Sequence, residues 1–527
     1  MLEPTSSSDA QARITRLESQ LREREALLNQ QTVVLEAREQ RIRLLEEALR
    51  VLRADKYGAS REKLGVASGQ RGLFNEVEAV IELTEVIGVP PEITATPLRE
   101  KRSSETKPGR KAFAAHLPRI EIRHELPESE RICACGAALT EIGAAETSEQ
   151  LDYIPAKVQV IRHVRPKYAC TCCQSGMKIA PVPAHILPRS NAAPGLLAHL
   201  VTAKYVDGLP LHRQEAIFLR HGVNLPRATQ AAWIIAVSEL LQPLLNLMDE
   251  RLRASGYIRI DETPVQVLKS AKSPSSEHWM WIRVAGPPGQ RLILFDYDPS
   301  RSAQVAERLL DGAVGYMQSD GYVAYDGVAA RLKLMHAGCF AHARRRFFDA
   351  IQALPRSEQR CETAAHEFVR RIDALYAIER EIKALTPEAR ALQRQEKAVP
   401  LLLALHGFAT SLLQQTLPSG TLGEALAYLI KQWPKLVRYV EDGRLAIDTN
   451  LAENAIRPFA LGRRNWLFAD TVKGAKASAA LYSLVETAKA NGLEPYAYLR
   501  RLFVELPKAK AVEDFEALLP FNNHILT

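Results

Sequence analysis

The chain has 527 residues, enough for several domains and at least one full hydrophobic core, and its apolar and charged fractions are those of an ordinary folded protein. A net charge of +8 and a pI near 9.0 favour a polyanionic partner, while the lack of a signal-peptide pattern and of any apolar run of about 18 residues predicts no membrane partner. Seven cysteines, an odd number without the spacing of a secreted disulfide framework, predict a reducing cytoplasm.

The first predicted element is a coiled coil over residues 10–55. Positions 12–54 contain neither Gly nor Pro, and apolar residues recur every seven positions. One seam consists of Ile14, Leu21, Leu28, Leu35, Ile42 and Leu49, and the other has Leu17, Leu45 and Leu52 at its ends with Arg24, Gln31 and Arg38 in its middle. The pattern predicts a homodimer or higher oligomer; a long helix packed on its own protein is the alternative.

A basic linker and a cysteine cluster follow. Six Lys or Arg against two acids between Arg99 and Lys111 predict a linker within residues 56–124. Five of the seven cysteines then lie between positions 133 and 173, and two thiolate pairs on knuckles are typical of a structural Zn²⁺ site. We predict a zinc-ribbon-like domain over 125–180 with ligands Cys133, Cys135, Cys170 and Cys173, leaving Cys172 spare and His163 as a substitute. Reduced thiols without a metal are the alternative.

Residues 181–252 have a helical pattern. A helix is predicted at Arg213–Phe218, a turn at Gly222 and a second helix from about Arg227. Helix, Gly-containing turn and helix fit a helix-turn-helix that binds DNA, and they fit any small helical bundle equally well.

The stretch Tyr257–Val267 alternates apolar and polar residues and predicts a strand with Asp261 in its interior. Asp is depleted in strand interiors, and a buried carboxylate is costly unless it is paired or binds a cation. The other predicted elements are strands at His278–Val284, at Arg291–Tyr297, ending at Asp320 and within Lys333–Gly338, with a helix at Ser302–Leu310.

Two further acids are candidate partners for Asp261. Asp320 ends a short apolar run before Gly321, and Glu453 lies in the first turn of a predicted helix. Carboxylates form an all-oxygen ligand set suited to Mg²⁺, and two such ions support phosphodiester transfer. The alternatives are structural, because Asp-Gly is a common turn signal and Asn450 with Glu453 fits a helix capping box. Spacing alone leaves both readings open.

Six motifs, in chain order, resemble those of the insertion-sequence sixty-six family of transposases, and the resemblance covers nearly the whole chain. They are Asp261–Pro264, Ser319–Tyr322, Cys339–Arg345, Asn450–Asn454, Arg463–Phe468 and Ser483–Lys489. The resemblance implies a DDE-type, ribonuclease-H-like core in which Asp261, Asp320 and Glu453 are the catalytic triad and bind two Mg²⁺ ions, with Mn²⁺ as a substitute. In such a sheet the first and fourth strands are neighbours, so Asp261 and Asp320 can share a metal. It also implies double-stranded DNA, as element ends and target, and admits small accessory proteins.

Basic residues near these motifs are candidates for DNA binding. Arginines interleaved with aromatic side chains suit contact with phosphates and an unpaired base; a basic helix face with Trp466 in the core is the alternative. The predicted DNA-binding residues are Arg344, Arg345, Arg457, Arg463, Arg464 and Trp466. His336, Cys339 and His342 are spaced like metal ligands, but we favour a structural or DNA-contacting use for them.

The predicted fold class is multidomain α+β. Its parts are a coiled coil (10–55), a basic linker (56–124), a zinc-ribbon-like domain (125–180), a helical, DNA-binding region (181–252), a ribonuclease-H-like core in two parts (253–350 and 446–492), an all-helical insertion (351–445) and a C-terminal segment (493–527). The predicted function is metal-dependent cleavage of DNA ends and strand transfer, carried out on chromosomal DNA in the cytoplasm. The alternatives are a nuclease without strand transfer and a non-catalytic, zinc-containing DNA-binding dimer.

Overall fold

The computed structural model describes residues 157–168, 178–273, 275–355 and 359–522, together with scattered positions between 15 and 49. Those scattered positions are helical, and Leu21, Leu28, Leu35 and Ile42 among them are more than half exposed. The predicted basic linker, residues 56–124, lies outside the described residues. Residues 83–160 form a separate compact unit, of which positions 157–160 are described and have no regular secondary structure.

A short hairpin and four helices precede the main sheet. In the hairpin, β1 (Lys167–Tyr168) pairs antiparallel with β2 (Lys178–Ile179). The helices are α1 (Pro194–Tyr205), α2 (Leu211–Arg220), α3 (Arg227–Leu240) and α4 (Gln242–Arg253). Gly222, between α2 and α3, has a φ of 75°, which a residue with a side chain rarely adopts, so the turn after α2 depends on this glycine. The predicted helix, turn and helix are therefore present.

Within the described ranges, no single helix is both long and apolar enough to cross a bilayer. Helices α3 and α4 pass the length and composition test only when taken together, and they are bent by 51° relative to each other.

The central sheet is mixed, with strand order β5-β4-β3-β6-β7. Strands β3, β4 and β5 are antiparallel neighbours, whereas β6 and β7 run parallel to β3. The elements are β3 (Tyr257–Lys269), β4 (Glu277–Ala285), β5 (Leu292–Asp298), α5 (Ala303–Leu310), β6 (Tyr316–Gln318), α6 (Ala324–Leu332) and β7 (Met335–Ala337). Each predicted strand is present within about two residues, and the first and fourth strands of the predicted core are neighbours.

The residues predicted as an all-helical insertion contain only helices and loops in their described part. The elements from the end of the sheet onward are α7 (Phe340–Ala353), α8 (Ala364–Glu381), α9 (Pro387–Gln393), a π-helical turn (Arg394–Ala398), α10 (Val399–Leu413), α11 (Thr421–Leu436) and a 3₁₀ turn (Val437–Val440). These helices share a hydrophobic core with Tyr257 of β3 and Ala337 of β7, in which Phe347 stacks on Phe368 with ring centroids 4.3 Å apart. Apolar packing therefore stabilises the helices and joins them to the edge of the sheet.

The chain then returns to the sheet. It forms α12 (Asn450–Trp466), β8 (Ala469–Thr471), α13 (Val472–Ala490), α14 (Pro495–Glu505), a 3₁₀ turn (Leu506–Lys508) and α15 (Val512–Glu516). The short strand β8, which the sequence patterns do not predict, pairs in parallel with the end of β3 at Val267 and Lys269. Because β6 pairs with the start of β3, Asp261 lies between the two paired stretches.

Helix α13 covers the edge strand β5 with polar side chains. Ser483, Thr487 and Asn491 recur every four residues on one helix face. They accept the backbone N–H groups of Phe295, Ile293 and Arg291 at 2.8, 3.0 and 2.8 Å. The unpaired backbone groups of an edge strand are thereby satisfied in the buried interior.

Candidate active site

Asp261 and Asp320 lie level with each other across two parallel strands. Arg259 of β3 pairs with Gln318 of β6, and each acid is two residues beyond its member of that pair. Parallel strands advance together, so the register brings both carboxylates to the same end of the sheet. Their orientations are fixed locally: Asp261 Oδ1 accepts the N–H of Glu262 at 2.8 Å, and Asp320 Oδ1 accepts the N–H of Tyr322 at 3.0 Å.

The electrostatics of Asp261 show that the predicted acids are close enough to repel one another. Burial, followed by the negative charges of Glu262, Glu453 and Asp320, raises the pKa of Asp261 well above its ordinary value. The bond from the Glu262 N–H opposes this rise without cancelling it. The carboxylates of Asp261, Asp320 and Glu453 therefore form one coupled acidic group, which is costly unless a cation or a proton neutralises it.

Glu453 reaches this group from the first turn of α12, where its side chain is buried. The hydroxyl of Thr449, the residue before the helix, lies 2.9 Å from Glu453 Oε1 and is placed to donate to it. Asn450 is already the first helical residue, and its amide nitrogen donates to Asp448 Oδ2 at 2.9 Å. The suggested capping box with Asn450 as its cap is therefore wrong, because Thr449 rather than Asn450 holds Glu453.

Glu262, next to Asp261, has a separate environment. Its side chain is buried, its Oε1 accepts Arg301 Nε at 2.7 Å, and its Oε2 accepts the hydroxyl of Tyr325. The guanidinium of Arg301 also stacks over the rings of Trp279 and Tyr322, at 4.8 and 4.2 Å from their centroids. Arg301 and Tyr325 act to lower the pKa of Glu262, but burial and the charge of Asp320 still raise it above its ordinary value, and Glu262 is in turn the largest charge acting on Asp261.

The insertion contacts the turn that follows Asp320. A Cβ atom at Gly321 would lie 2.6 Å from the hydroxyl of Tyr428 on α11, so only glycine fits beside this ring. The guanidinium of Arg346 also contacts the Tyr428 ring, 4.1 Å from the ring centroid. The close approach of α11 explains Gly321 beyond its value as a turn residue.

The three residues spaced like metal ligands separate in the fold. His336 Nε2 lies 2.8 Å from the hydroxyl of Ser319 and its Nδ1 lies 2.8 Å from Asp326 Oδ1, and burial lowers its pKa to about 4. Cys339 and His342 instead meet Glu453, with one ligand atom of each residue within 4.8 Å of the other two. Among the described residues, Cys339, His342 and Glu453 are the His, Cys, Asp and Glu side chains whose ligand atoms lie this close together. The ligand atoms of Asp261, Asp320 and Glu453 do not all lie within 4.8 Å of one another.

Several predicted DNA-binding residues have partners inside the protein. Arg344 forms a two-point ion pair with Asp373, with its Nε 2.7 Å from Oδ1. Arg345 Nε lies 4.0 Å from Asp349. Both side chains are largely buried, which limits their freedom to reach a phosphate.

Arg463 and Trp466 are also used by the fold. Arg463 donates to the backbone carbonyl of Pro264, three residues beyond Asp261. Trp466 is half-buried against the core, with the ammonium of Lys204 lying 4.1 Å from its ring centroid. Arg457 is half-buried and Arg464 is exposed. The alternative in which Trp466 packs against the core is therefore the observed one.

The predicted zinc ligands Cys133, Cys135, Cys170 and Cys173 lie outside the described residues. The described neighbours are strands β1 and β2, whose pairing brings together the two ends of segment 169–177. That segment contains the second predicted pair of cysteine ligands.

Comparison with known proteins identifies the family. The model described as Transposase IS66 family matches residues 189–477, more than half of the chain. Others, described as zinc-finger binding domain of transposase IS66, IS66 C-terminal element and Transposase C of IS166 homeodomain, match residues 130–174, 483–521 and 44–122.

Relatives from Sinorhizobium fredii match most of the length. The uncharacterized protein y4qI is 32% identical over 504 residues, which is 92% of this chain and 89% of its own. The uncharacterized protein y4jD is 33% identical over 419 residues, 77% of this chain and 80% of its own. With its mixed sheet, buried acids and matched zinc-finger segment, the chain belongs to the IS66 family of transposases.

Proposed function

We propose that this transposase cleaves DNA ends and joins them to target DNA at a centre formed by Asp261, Asp320 and Glu453. The observation that carries the proposal is the coupled acidic group: two strand acids lie level with each other, and the charges of Asp320 and Glu453 raise the pKa of Asp261. Hard oxygen ligands and unbalanced negative charge fit two Mg²⁺ ions, with Mn²⁺ as a substitute. When bound, such ions activate an attacking oxygen and neutralise charge on the leaving one.

The proposed core is ribonuclease-H-like. Its support is the strand order, in which three antiparallel strands are followed by two parallel ones added on the far side of the first. In this arrangement the first and fourth strands of the core carry Asp261 and Asp320, and a helix after the insertion supplies Glu453. The insertion then reaches the centre through Tyr428 beside Gly321.

The residues of the chain act in this reaction by positioning and charge. Thr449 orients Glu453, and the Arg301–Glu262 pair fixes the strand next to Asp261. No side chain has to attack DNA, because phosphoryl transfer between oxygens depends mainly on alignment and charge neutralisation. The same centre therefore serves the cut that frees a 3′-hydroxyl and the joining of that hydroxyl to target DNA.

Other regions supply binding and assembly in this proposal. Residues 10–55 form a coiled coil that joins two or more chains, supported by the exposed seam of Leu21, Leu28, Leu35 and Ile42. Cys133, Cys135, Cys170 and Cys173 hold a structural Zn²⁺, and helices α2 and α3 contact double-stranded DNA. Arg464, which is exposed, is the best placed of the predicted arginines to reach a phosphate. The proposal also allows small accessory proteins of the same element as partners.

A strand-transfer assay tests the proposal with purified protein, Mg²⁺, a labelled duplex carrying the element's own end, and supercoiled target. Asp261→Asn, Asp320→Asn and Glu453→Gln should each abolish joined product, by about 10³-fold or more, while DNA binding persists. Asp298→Asn is the matched control, because Asp298 pairs with Arg308 near the surface of the same sheet.

The outcomes separate the alternatives. Cleavage without joining indicates a nuclease without strand transfer. Binding without any product, even after the accessory proteins are added, indicates a non-catalytic DNA-binding dimer. Unchanged activity in all three acidic variants contradicts the proposed centre.

A further inference from the structure

Cys339, His342 and Glu453 form a second cluster beside the coupled acidic group. Cys339 immediately precedes α7, and His342 lies in the first turn of that helix. Glu453 lies in the first turn of α12. The two helix starts are tied together, because the N–H of Phe340 donates to the carbonyl of Ile447 at 3.0 Å. Cys339 and His342, three positions apart, thereby meet Glu453, which lies more than 100 positions further along the chain.

The geometry of this cluster suits a small cation. The candidate ligand atoms all lie within 4.8 Å of one another, and His342 Nδ1 is 4.0 Å from Glu453 Oε1. That separation exceeds a hydrogen bond, whereas ligands of a tetrahedral zinc ion, at about 2.0–2.3 Å from the metal, lie roughly 3.3–3.7 Å apart. A closure of about 1 Å or less would bring the three side chains into contact with an ion.

Cys339 offers a buried sulfur ligand between the two helix starts. Its sulfur accepts the N–H of Thr449 at 3.3 Å, with the Thr449 hydroxyl 3.2 Å away. A thiolate, an imidazole and a carboxylate form a mixed set typical of zinc, unlike the all-oxygen set around Asp261.

We infer that Cys339, His342 and Glu453 bind a thiophilic divalent cation of the zinc class, at a site that is distinct from the cysteine-rich segment and shares Glu453 with the proposed Mg²⁺ centre. Three protein ligands leave one coordination position for water. Glu453 has two carboxylate oxygens, so it is able to serve this site and the neighbouring acidic group together. The inference concerns metal binding alone and does not depend on the proposed strand-transfer activity.

The test measures metal content in the full-length, reduced protein without DNA. Each variant is stripped with a chelator, titrated with Co²⁺ while the thiolate-to-cobalt absorption is followed, and separately loaded with Zn²⁺, dialysed and analysed by mass spectrometry. Cys339→Ser and His342→Ala should each hold one ion per chain fewer than the unmodified protein. The readout is a difference between variants, so metal bound at the other predicted cysteine ligands cancels.

Two matched controls sharpen the result. Cys361→Ser changes an exposed cysteine outside the cluster and should leave the metal content unchanged. Thr449→Val removes the hydroxyl between Cys339 and Glu453 but no required ligand, so it should retain the ion. His342 is partly exposed, and His342→Ala therefore keeps the test decisive should Cys339→Ser fail to fold. Equal metal content in His342→Ala and the unmodified protein overturns the inference. The cluster would then serve only to support Glu453 through hydrogen bonds.

Discussion

Two groups of buried charge on the same sheet are built in opposite ways. Arg283 of β4 is almost fully buried and is bound by Asp249 of α4 and Asp296 of β5. It also donates to the carbonyl of Leu309 at 2.8 Å. Burial alone would lower the pKa of Arg283, but the two carboxylates raise it above its ordinary value. Around Asp261, by contrast, the neighbouring charges are of the same sign.

The contrast distinguishes charges that are balanced within the fold from charges that stay unbalanced until a ligand binds. The Arg283 group is neutralised inside the protein, so its role is complete once the chain has folded. In the acidic group, Arg301 offsets part of the cost of a charged Glu262, while the charges of Glu262, Glu453 and Asp320 all disfavour the charged form of Asp261. A fold that retains such repulsion gains from a cation that binds there, which is the physical basis of the proposed centre.

The largest effect expected from this comparison follows the loss of Arg283. Arg283→Met leaves two carboxylates without their shared partner and should lower the free energy of unfolding by about 3–5 kcal/mol. Urea unfolding followed by circular dichroism measures the change. Arg308→Met is the matched control, because Arg308 is mostly exposed and its pair with Asp298 should contribute about 0–1 kcal/mol. Equal effects of the two substitutions would contradict the structural role of Arg283.

A smaller loss of stability is expected where a neutral side chain, rather than an opposite charge, satisfies a buried polar group. Thr487→Val keeps the shape of the side chain but removes its bonds to the N–H and carbonyl of Ile293 on β5. The buried backbone groups lose their partner, so the free energy of unfolding should fall by about 1–3 kcal/mol. Thr410→Val, at an exposed threonine that bonds its own helix, should change it by no more than about 0.5 kcal/mol.

The smallest expected effect is a gain in stability rather than a loss. Because the pKa of Asp261 is raised in the folded protein, the folded state binds its proton more tightly than the unfolded chain does. The metal-free protein should therefore lose stability as the pH rises from about 3.9, the ordinary value for Asp, through the raised value. Asp261→Asn avoids this loss and should be more stable than the unmodified protein at pH 7, with no advantage below about pH 3.9.

Thermal unfolding of both proteins across this pH range, with and without Mg²⁺, tests that prediction. Added Mg²⁺ should stabilise the unmodified protein more than Asp261→Asn and so narrow the difference at pH 7. A variant that is less stable than the unmodified protein at neutral pH would show that Asp261 is already compensated.

The sequence predicts best what depends on local patterns. Local sequence patterns predict β3, β4 and β5 to within about two positions, and the Gly222 turn lies between the expected helices. Strand β8 is missed because its three residues carry no pattern of their own and are ordered by pairing with β3.

The parts of the site that depend on distant contacts are also missed. Thr449 is inconspicuous in the sequence, and its role appears only when α7 and α12 bring Cys339 and Glu453 to its side. Arg344 illustrates the reverse case, since a basic motif suggests DNA while Asp373, 29 positions later, binds the guanidinium. A signal that does exist in the sequence is the i, i+4, i+8 row of Ser483, Thr487 and Asn491, which places polar residues on one face of α13.

The polar side chains of α13 become available to β5 only late in the synthesis of the protein. The partners of β5 lie 188 to 200 residues further along the chain. At about 5–20 residues per second, the ribosome takes roughly 10–40 s to deliver them after β5 has been made. During that interval β5 is an open sheet edge on a nascent chain, available for pairing with another copy. The sheet is closed only when the C-terminal helices emerge, so truncation before α13 should convert a stable sheet into an aggregation-prone one.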